Sequence, residues 1–174
     1  MNLETNLIDN IIECEVKLGH AHTPISFYYP KSSLLELLDC SEADFLSCAE
    51  AFVKGIKNTL GEVTISEVKS EPGRYQVTVS ADGVDWVSLY YKPSDFIKRF
   101  AVDIHKTGNT LCGILETFKT FSNDIVVEKV KENEWGIYFL DDSIDPYVYY
   151  IEENSFGLEY HRFTHKAYRL LLED

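Results

Sequence analysis

Apolar residues at helical spacing open the chain. In residues 3–18 they recur every three or four positions, a pattern typical of an amphipathic helix, and Gly19 supplies a C-terminal stop. Residues 25–29, with the sequence ISFYY, lie directly before Pro30, and the residue before a proline avoids the helical region. The pattern therefore predicts a helix followed by an extended segment.

Two further helices are predicted after the extended segment. Ser32 or Ser33 can cap a short helix with the sequence LLELL. Residues 41–60 carry a continuous apolar stripe, and the spacing of Ser41 and Asp44 resembles a capping box. We therefore expect one short helix and one long helix in this part of the chain.

Alternation of apolar and polar residues then replaces the helical spacing. It predicts three strands joined by turns, at residues 62–69, 74–80 and 84–91. Residues 74–80 alternate strictly, which indicates an antiparallel sheet with one solvent-exposed face. Residues 84–91, VDWVSLYY, are apolar on both faces. We therefore expect them to form the best-covered strand, entered by a turn at residues 81–84.

Helical spacing returns at residues 94–121, where Ser94 is suited to the N-cap position. The apolar register runs through Gly108 and Asn109 without a break, which is compatible with one long helix or with two. The segment TGNT that contains them has low helix propensity, so we favour two helices.

A second set of strands and a last helix complete the pattern. Turn-like connectors separate four strand-like segments, at residues 125–131, 134–140, 146–152 and 157–163. Residues 164–174 are expected to form a short helix that Thr164 caps. The predicted fold class is α+β, with antiparallel sheets built from two meanders of three and four strands and packed by amphipathic helices.

The two strand sets resemble each other locally, because VDWVSLYY and DPYVYY both follow an acidic turn. At a shift of 60 positions, Asp82, Val84 and Asp85 correspond to Asp142, Ile144 and Asp145. Either a duplication, which would make the fold a pseudo-repeat, or shared turn chemistry explains the match. The chain length predicts a single domain over residues 1–174, and a duplication would give halves of 1–107 and 108–174.

A net charge of −13 limits the partners of the chain. Binding to nucleic acid or to an anionic membrane needs a basic surface, and the 16 lysine and arginine residues form no cluster along the sequence. We therefore expect neither kind of partner. The acidic character fits either plain solubility or binding to a basic protein, and the sequence leaves the oligomeric state open.

Two features predict a cytoplasmic protein. Glu4 and Asp9 interrupt the N-terminal segment where a signal peptide would need an apolar run. No segment reaches the length of about 18 apolar residues that a membrane span needs. The four cysteines have no CxxC spacing, so we expect reduced thiols.

Two histidine pairs are the candidates for metal binding: His20 with His22, and His161 with His165. In an extended segment, His20 and His22 would point to one side and could hold two positions of a metal. A further ligand from Cys14, His161 or His165 would be needed to complete a site. Because no second pair has the spacing of a zinc signature, we prefer to interpret these histidines as polar residues of a connector.

No motif for covalent catalysis or phosphate binding is present in the sequence. GxSxG is absent, and the nine glycines are scattered singly instead of forming a phosphate-binding loop. We therefore expect a non-enzymatic protein without a cofactor. The alternative is a small-ligand-binding or hydrolytic enzyme with a site of histidines and acids between the helices and a sheet.

Three tyrosine pairs are the candidates for a binding surface: Tyr28-Tyr29, Tyr90-Tyr91 and Tyr149-Tyr150. Neighbouring residues of a strand face opposite ways, so each pair would offer one ring to the core and one to the other face. Outer rings on an open face would form a surface of the kind enriched at protein interfaces. If helices cover both faces, all six rings are core residues instead. The leading hypothesis is an acidic, non-enzymatic module that binds a basic protein.

The opening of the chain also resembles a known family. The segment KLGHAHTPISFYYPKSSLLELL contains Lys17-Leu18-Gly19, Tyr28-Tyr29-Pro30 and Ser33-Leu34. It is similar to the start of a family of small proteins from anaerobic gut bacteria that is described only as a domain of unknown function. The resemblance covers about the first 60 residues of the 174. It implies no activity, ligand or catalytic residue.

Overall fold

The computed structural model describes residues 2–173 and confirms the α+β class. Within that range it contains seven α-helices and two antiparallel sheets, one of three strands and one of four. None of these helices has both the length and the apolar character that crossing a membrane requires. The chain divides into two compact units, Met1–Pro93 and Ser94–Asp174. The single domain over residues 1–174, with halves at 1–107 and 108–174, stays a prediction.

The first unit contains helices and strands in mixed order. Its elements are α1 (Leu3–Leu18), β1 (Ile25–Pro30), α2 (Lys31–Leu37), α3 (Phe45–Gly55), a 3-10 helix (Ile56–Asn58), β2 (Val63–Glu67), β3 (Arg74–Val79) and α4 (Ala81–Tyr90). The predicted helix over residues 3–18 is confirmed, and Asn2 caps it by accepting a hydrogen bond from the Thr5 backbone N–H at 2.9 Å. The extended segment before Pro30 is also confirmed, as β1.

The first sheet has the order β1-β3-β2, and both pairings are antiparallel. The prediction of a meander is therefore wrong for this sheet, because β1 and not residues 84–91 supplies the third strand. β3 keeps the predicted alternation, since Val77 and Val79 are buried and Thr78 lies on the opposite face. On that face the hydroxyl groups of Ser26 and Thr78 are 2.8 Å apart and form a hydrogen bond across the strand pair.

The segment predicted as the best-covered strand is the helix α4, and its predicted entry turn is the first turn of that helix. Ser80 caps α4, because its hydroxyl accepts a hydrogen bond from the Gly83 backbone N–H at 3.3 Å. Val84 and Val87 lie three positions apart and are buried on one helix face. The strand prediction failed because valine and aromatic residues favour strands, whereas the cap and the packing of this face decide the local structure.

The short helix α2 begins earlier than expected. It starts at Lys31, directly after Pro30, whose φ of −61° is compatible with entry into a helix. Ser32 and Ser33 therefore lie inside α2, and the prediction that one of them caps it is wrong.

The helix predicted over residues 41–60 is shorter than expected. α3 covers Phe45–Gly55, and the 3-10 helix Ile56–Asn58 continues it. Ser41 accepts a hydrogen bond from the Asp44 backbone N–H at 3.3 Å. Ser41 therefore closes the turn before α3 instead of capping the helix itself.

One hydrophobic core holds the first unit together. α1, β3 and α4 contribute completely buried side chains to it: Leu7, Ile11, Val77, Val79, Val84 and Val87. The hydroxyl of buried Tyr29 donates a hydrogen bond to Asn6 Oδ1 at 2.7 Å, which links β1 to α1. Because α1 and α4 pack on this same core, the polar face of α4 lies beside the C-terminal end of α1.

The second unit has a simpler order. Its elements are α5 (Asp95–Ile104), α6 (Leu111–Phe121), β4 (Ile125–Lys131), β5 (Glu134–Phe139), β6 (Val148–Asn154), β7 (Gly157–Phe163) and α7 (His165–Glu173). The predicted split between two helices is confirmed, and Gly108 lies between them at a φ of +74°. Ser94 and Thr164 cap α5 and α7 as predicted, since each hydroxyl accepts a backbone hydrogen bond at 3.2 Å.

The second sheet is the predicted four-stranded meander, with the order β4-β5-β6-β7. Helices cover both of its faces at β6. Tyr149 packs against Phe100 of α5 with ring centroids 4.6 Å apart, and Tyr150 joins Tyr168 of α7 in a separate hydrophobic cluster. β6 is therefore the strand that is buried on both sides.

The local match at a shift of 60 positions pairs a helix with a strand. Residues 84–91 lie in and just after α4, whereas the corresponding DPYVYY segment leads into β6. This match is therefore a similarity of local sequence and not a structural repeat.

Candidate functional site

Three parts of the first unit meet around two histidines: the last turns of α1, the segment between α1 and β1, and one face of α4. On α4, the polar side chains of this face recur every three positions, which places them on the same side of the helix. We use the name histidine–carboxylate cluster for the side chains that meet here: Glu15, His20, His22, Asp82, Asp85 and Ser88.

His20 lies between carboxylates from two helices. Its Nδ1 atom is 3.0 Å from Glu15 Oε1 on α1, and its Nε2 atom is 3.0 Å from Asp85 Oδ1 on α4. The Ser88 hydroxyl is 2.8 Å from His20 Nδ1 and also donates a hydrogen bond to Glu15. The imidazole therefore bridges α1 and α4.

His22 extends the cluster towards the start of α4. Its Nδ1 atom is 2.6 Å from Asp85 Oδ2, and the side chain is otherwise well exposed. Asp82 lies one helical turn before Asp85. One ligating atom from each of His22, Asp82 and Asp85 lies within 4.8 Å of the other two. Among residues 2–173, these three side chains are the ones placed closely enough to hold a metal ion together.

The two oxygens of Asp85 have different surroundings. Oδ2 is paired with His22, whereas Oδ1 is shielded from solvent and makes no hydrogen bond of normal geometry. His20 Nε2 lies 3.0 Å from this second oxygen, so the contact is an ion pair without good hydrogen-bond alignment. Asp85 therefore contacts His22 through one carboxylate oxygen and His20 through the other.

The acids of the cluster favour the charged form of His20. The hydrogen bond with Glu15 raises the pKa of His20, and the negative charges of Glu15 and Asp85 raise it further, although partial loss of solvent opposes the effect. The imidazolium form is therefore stabilised relative to a free histidine.

The row Ser88–His20–Asp85 contains the residue types of a nucleophile, a base and an orienting acid. One observation argues against that use. Ser88 donates its hydrogen bond to Glu15, so its proton is directed away from the imidazole. The geometry thus favours a charged binding surface over nucleophilic catalysis.

Three exposed side chains and the partly buried Trp86 adjoin the cluster at the C-terminal end of α4. The ring of Trp86 lies 5.3 Å from that of Tyr90 and 5.4 Å from that of Tyr91, measured between centroids. Leu89 is 69% exposed and Tyr90 is 66% exposed. We refer to Trp86, Leu89, Tyr90 and Tyr91 as the α4 aromatic surface.

The family of the chain was identified by comparison with known proteins. Residues 1–172 match the family described as "Domain of unknown function, E. rectale Gene description (DUF3877)". The chain belongs to the DUF3877 family. The resemblance seen in the opening residues is therefore confirmed, and it extends over almost the whole chain. No curated protein and no solved structure matches it. Membership of DUF3877 brings no activity with it, so the function has to be argued from the geometry.

In this DUF3877 protein the three tyrosine pairs do not form one surface. Tyr28 is exposed on β1, where the Arg74 guanidinium lies 5.6 Å from its ring centroid, and Tyr29 is buried. Tyr149 and Tyr150 are both buried, on opposite faces of β6, so the alternative in which helices cover both faces holds for this pair and the outward ring is not found. The strand geometry assumed for Tyr90-Tyr91 is also wrong, since Tyr90 ends a helix.

The second histidine pair does not build a metal site. His161 is exposed on β7 with its ring 6.4 Å from that of Phe163. His165, at the start of α7, packs edge-on against Tyr138 and lies 3.7 Å from Asp142 Oδ1. Neither histidine belongs to a group of three ligating side chains among the residues described.

Sequence reasoning found the histidines of the cluster but missed its acids. Asp82 and Asp85 were interpreted as turn and strand residues, and Ser88 as part of a strand. The available signal was the spacing of three between these polar residues after a capping serine, which is typical of one helix face. The contact between His22 and Asp85 spans 63 positions, and no local pattern predicts it.

Proposed function

We propose that this DUF3877 protein is a non-enzymatic, protein-binding module of the cytoplasm that uses the α4 aromatic surface to bind a basic protein segment. The observation that carries the proposal is the exposure of Leu89 and Tyr90 directly beside the histidine–carboxylate cluster. The cytoplasmic location is supported by Cys40, Cys48 and Cys112, which are not joined in disulfides.

The aromatic surface has the properties of a binding anchor. Trp86 contacts the rings of both tyrosines, so these side chains lose little freedom when a partner binds. Tryptophan and tyrosine are enriched among residues that dominate binding energy at interfaces. A leucine in the same surface adds apolar area without a polar group that would need a partner.

The charge around this surface favours a basic partner. Asp82 and Asp85 precede the aromatic residues on the same helix, and the whole chain carries a net charge of −13. Complementary charge speeds association and suppresses wrong partners. A segment that combines lysine or arginine with an apolar anchor would satisfy both parts of the surface.

The alternative, a small-ligand-binding or hydrolytic enzyme with a site of histidines and acids, has weaker support. The polar groups it needs are in place, but Ser88 donates its hydrogen bond to Glu15 and not to His20. This direction opposes the activation of Ser88 as a nucleophile.

Differential capture tests the proposal. The wild-type protein and the double variant Leu89→Ser/Tyr90→Ser are immobilised and exposed to extract of the native cell. Leu46→Ser is the matched control, because Leu46 is an equally exposed leucine on α3 at 72%. We expect at least one basic protein to bind the wild type and Leu46→Ser but to bind the double variant at least tenfold less.

Direct titration with that purified partner completes the test. Its affinity should fall as salt concentration rises, because charge contributes to the contact. The proposal is overturned if no protein distinguishes the double variant from Leu46→Ser, or if the distinguishing protein is acidic. It is also overturned if the wild type dimerises and the double variant does not, because a second copy would then occupy the surface.

A further inference from the structure

We propose that His22, Asp82 and Asp85 bind a divalent first-row transition-metal ion, with zinc as the expected ion. The site would use one side chain from the segment after α1 and two from the first turns of α4. It shares Asp82 and Asp85 with the protein-binding proposal but does not depend on it, because it involves none of the residues of the α4 aromatic surface.

The donor set indicates the class of metal. One imidazole and two carboxylates form a mixed nitrogen and oxygen set of the kind that zinc accepts. Calcium and magnesium prefer sets made only of oxygen atoms. Three protein ligands leave a fourth position for water or for a ligand from a partner, as in zinc sites that are not purely structural.

The geometry is close to that of a bound site. The three ligating atoms lie within 4.8 Å of one another. In a tetrahedral site with zinc–ligand bonds of about 2 Å, ligand atoms are about 3.3 Å apart. His22 and Asp82 are exposed and can adjust by rotation, whereas α4 fixes the positions of Asp82 and Asp85. His22 Nδ1 and Asp85 Oδ2, now 2.6 Å apart, would separate slightly as the ion replaces the proton between them.

A neighbouring histidine orients Asp85. Its Oδ1 atom is shielded from solvent and forms an ion pair with His20 Nε2 at 3.0 Å. Glu15 and Ser88 in turn hold the opposite nitrogen of His20. Metal-binding carboxylates are commonly oriented by such outer groups. His20 is therefore a positioning residue that holds Asp85 with its other oxygen towards His22.

Charge repulsion between Asp82 and Asp85 also favours a bound cation. Asp82 and Asp85 are like charges three positions apart on a helix, a spacing that is unfavourable when both are ionised. A cation between them would remove that repulsion. The arrangement is therefore better suited to a cation than to an empty polar surface.

Zinc titration of the untagged full chain, stripped with a chelator and followed by calorimetry, tests the site. We expect one zinc ion per chain, and His22→Ala and Asp85→Asn should each weaken binding at least tenfold. The matched controls are His161→Ala and Asp142→Asn, which remove the same side-chain types from exposed positions in the second unit. Both controls should change the affinity less than twofold.

Cobalt substitution gives a second readout. Cobalt in a four-coordinate site absorbs visible light much more strongly than hydrated cobalt, and the band should be lost in Asp85→Asn. His20→Ala should keep the stoichiometry but weaken zinc binding by a few fold, as expected for a positioning residue. The proposal is overturned if zinc at 100-fold excess over about 1 µM protein does not bind, or if the controls weaken binding as much as His22→Ala does.

Discussion

Gly83 lies so close to the main chain of Leu60 that a Cβ atom on residue 83 would be 2.2 Å from the Leu60 carbonyl oxygen. The same atom would be 2.7 Å from Val79 Cγ1. Both distances are far below van der Waals contact. The first turn of α4 can therefore pack at this position only with a glycine, and α4 carries half of the histidine–carboxylate cluster.

Gly83→Ala should therefore destabilise the first unit. We expect a loss of about 3 kcal/mol in the free energy of unfolding, because backbone atoms must move to accept the methyl group. Urea unfolding followed by the fluorescence of Trp86, which lies in the same unit, measures the effect. Gly55→Ala is the control, since a Cβ there meets no atom within 4 Å and Gly55 ends α3 in a helical conformation. That variant should be stabilised by about 0.5 kcal/mol, and equal losses in the two variants would contradict the packing argument.

Alanine at Tyr149 and at Tyr90 should give opposite results. Tyr149 is completely buried, packs on Phe100 and donates a hydrogen bond to Asp145 at 3.0 Å. Its loss should cost about 4 kcal/mol, from the cavity and from the buried carboxylate that loses a donor. Tyr90→Ala should change stability by less than about 0.5 kcal/mol, because this ring is exposed. Thermal unfolding of the two purified variants distinguishes them, and a strongly destabilised Tyr90→Ala would show that this ring is not free to bind a partner.

Asp103 should make the second unit sensitive to acid. Burial alone would raise its pKa, but hydrogen bonds from Lys106, Thr117 and Arg99 outweigh burial and lower the pKa from 3.8 to about 2. The stabilisation is therefore complete above pH 4 and is lost as the pH falls towards 2, and it amounts to about 2 kcal/mol. Asp103→Asn should lose this amount at pH 7.

The pH profile separates this effect from a general loss of stability. Asp103→Asn should show a flatter fall in stability than the wild type between pH 4 and pH 2, measured by urea unfolding with Trp135 as the probe of this unit. Asp95→Asn is the control, because Asp95 lies on the same helix but its side chain is almost fully exposed. A profile of Asp103→Asn that runs parallel to that of the wild type would refute the assignment.

Tyr150 should make the second unit sensitive to alkali. Burial, the hydrogen bond to Glu134 and the charges of Glu134 and Glu152 raise the pKa of Tyr150 from 10.0 to about 12. The unfolded chain then loses this proton before the folded chain does, so stability is complete below pH 10 and falls as the pH rises towards 12. The free energy of unfolding should fall by about 2 kcal/mol over this range. Tyr150→Phe should reduce the slope of this free energy against pH. Tyr28→Phe removes the hydroxyl of an exposed ring and should leave the slope as in the wild type.

The sequence predicted the elements that have one dominant local signal. Residues 3–18 and 74–79 follow a single periodicity, and the helices α5 and α7 begin at the serine and threonine caps that were expected. The split between α5 and α6 was predicted from the low helix propensity of residues 107–110, TGNT, although the apolar register continues through them. In these places local preference and packing agree, so the pattern alone is sufficient.

α4 could not be predicted in the same way, because its local signals conflict. Valine, tryptophan and tyrosine favour a strand, whereas the cap at Ser80 and the spacing of Asp82 and Asp85 favour a helix. The contact of Gly83 with Leu60, which requires no side chain at that position, is decided by the folded structure. The error carried over to the candidate site, because the carboxylates around His20 and His22 are on this helix.

The position of β3 between β1 and β2 has a consequence for how the chain assembles. β2 and β3 are close in sequence. Pro30 at the end of β1, however, pairs with Arg74, and α2, α3 and β2 lie between these two residues in the sequence. In the second sheet, by contrast, every strand pairs with the next one along the chain. Contacts between distant segments form slowly because closing a long loop costs entropy. The hairpins of the second sheet should therefore appear early in refolding, and the amides of β1 should be the last of the strands to gain protection from hydrogen exchange.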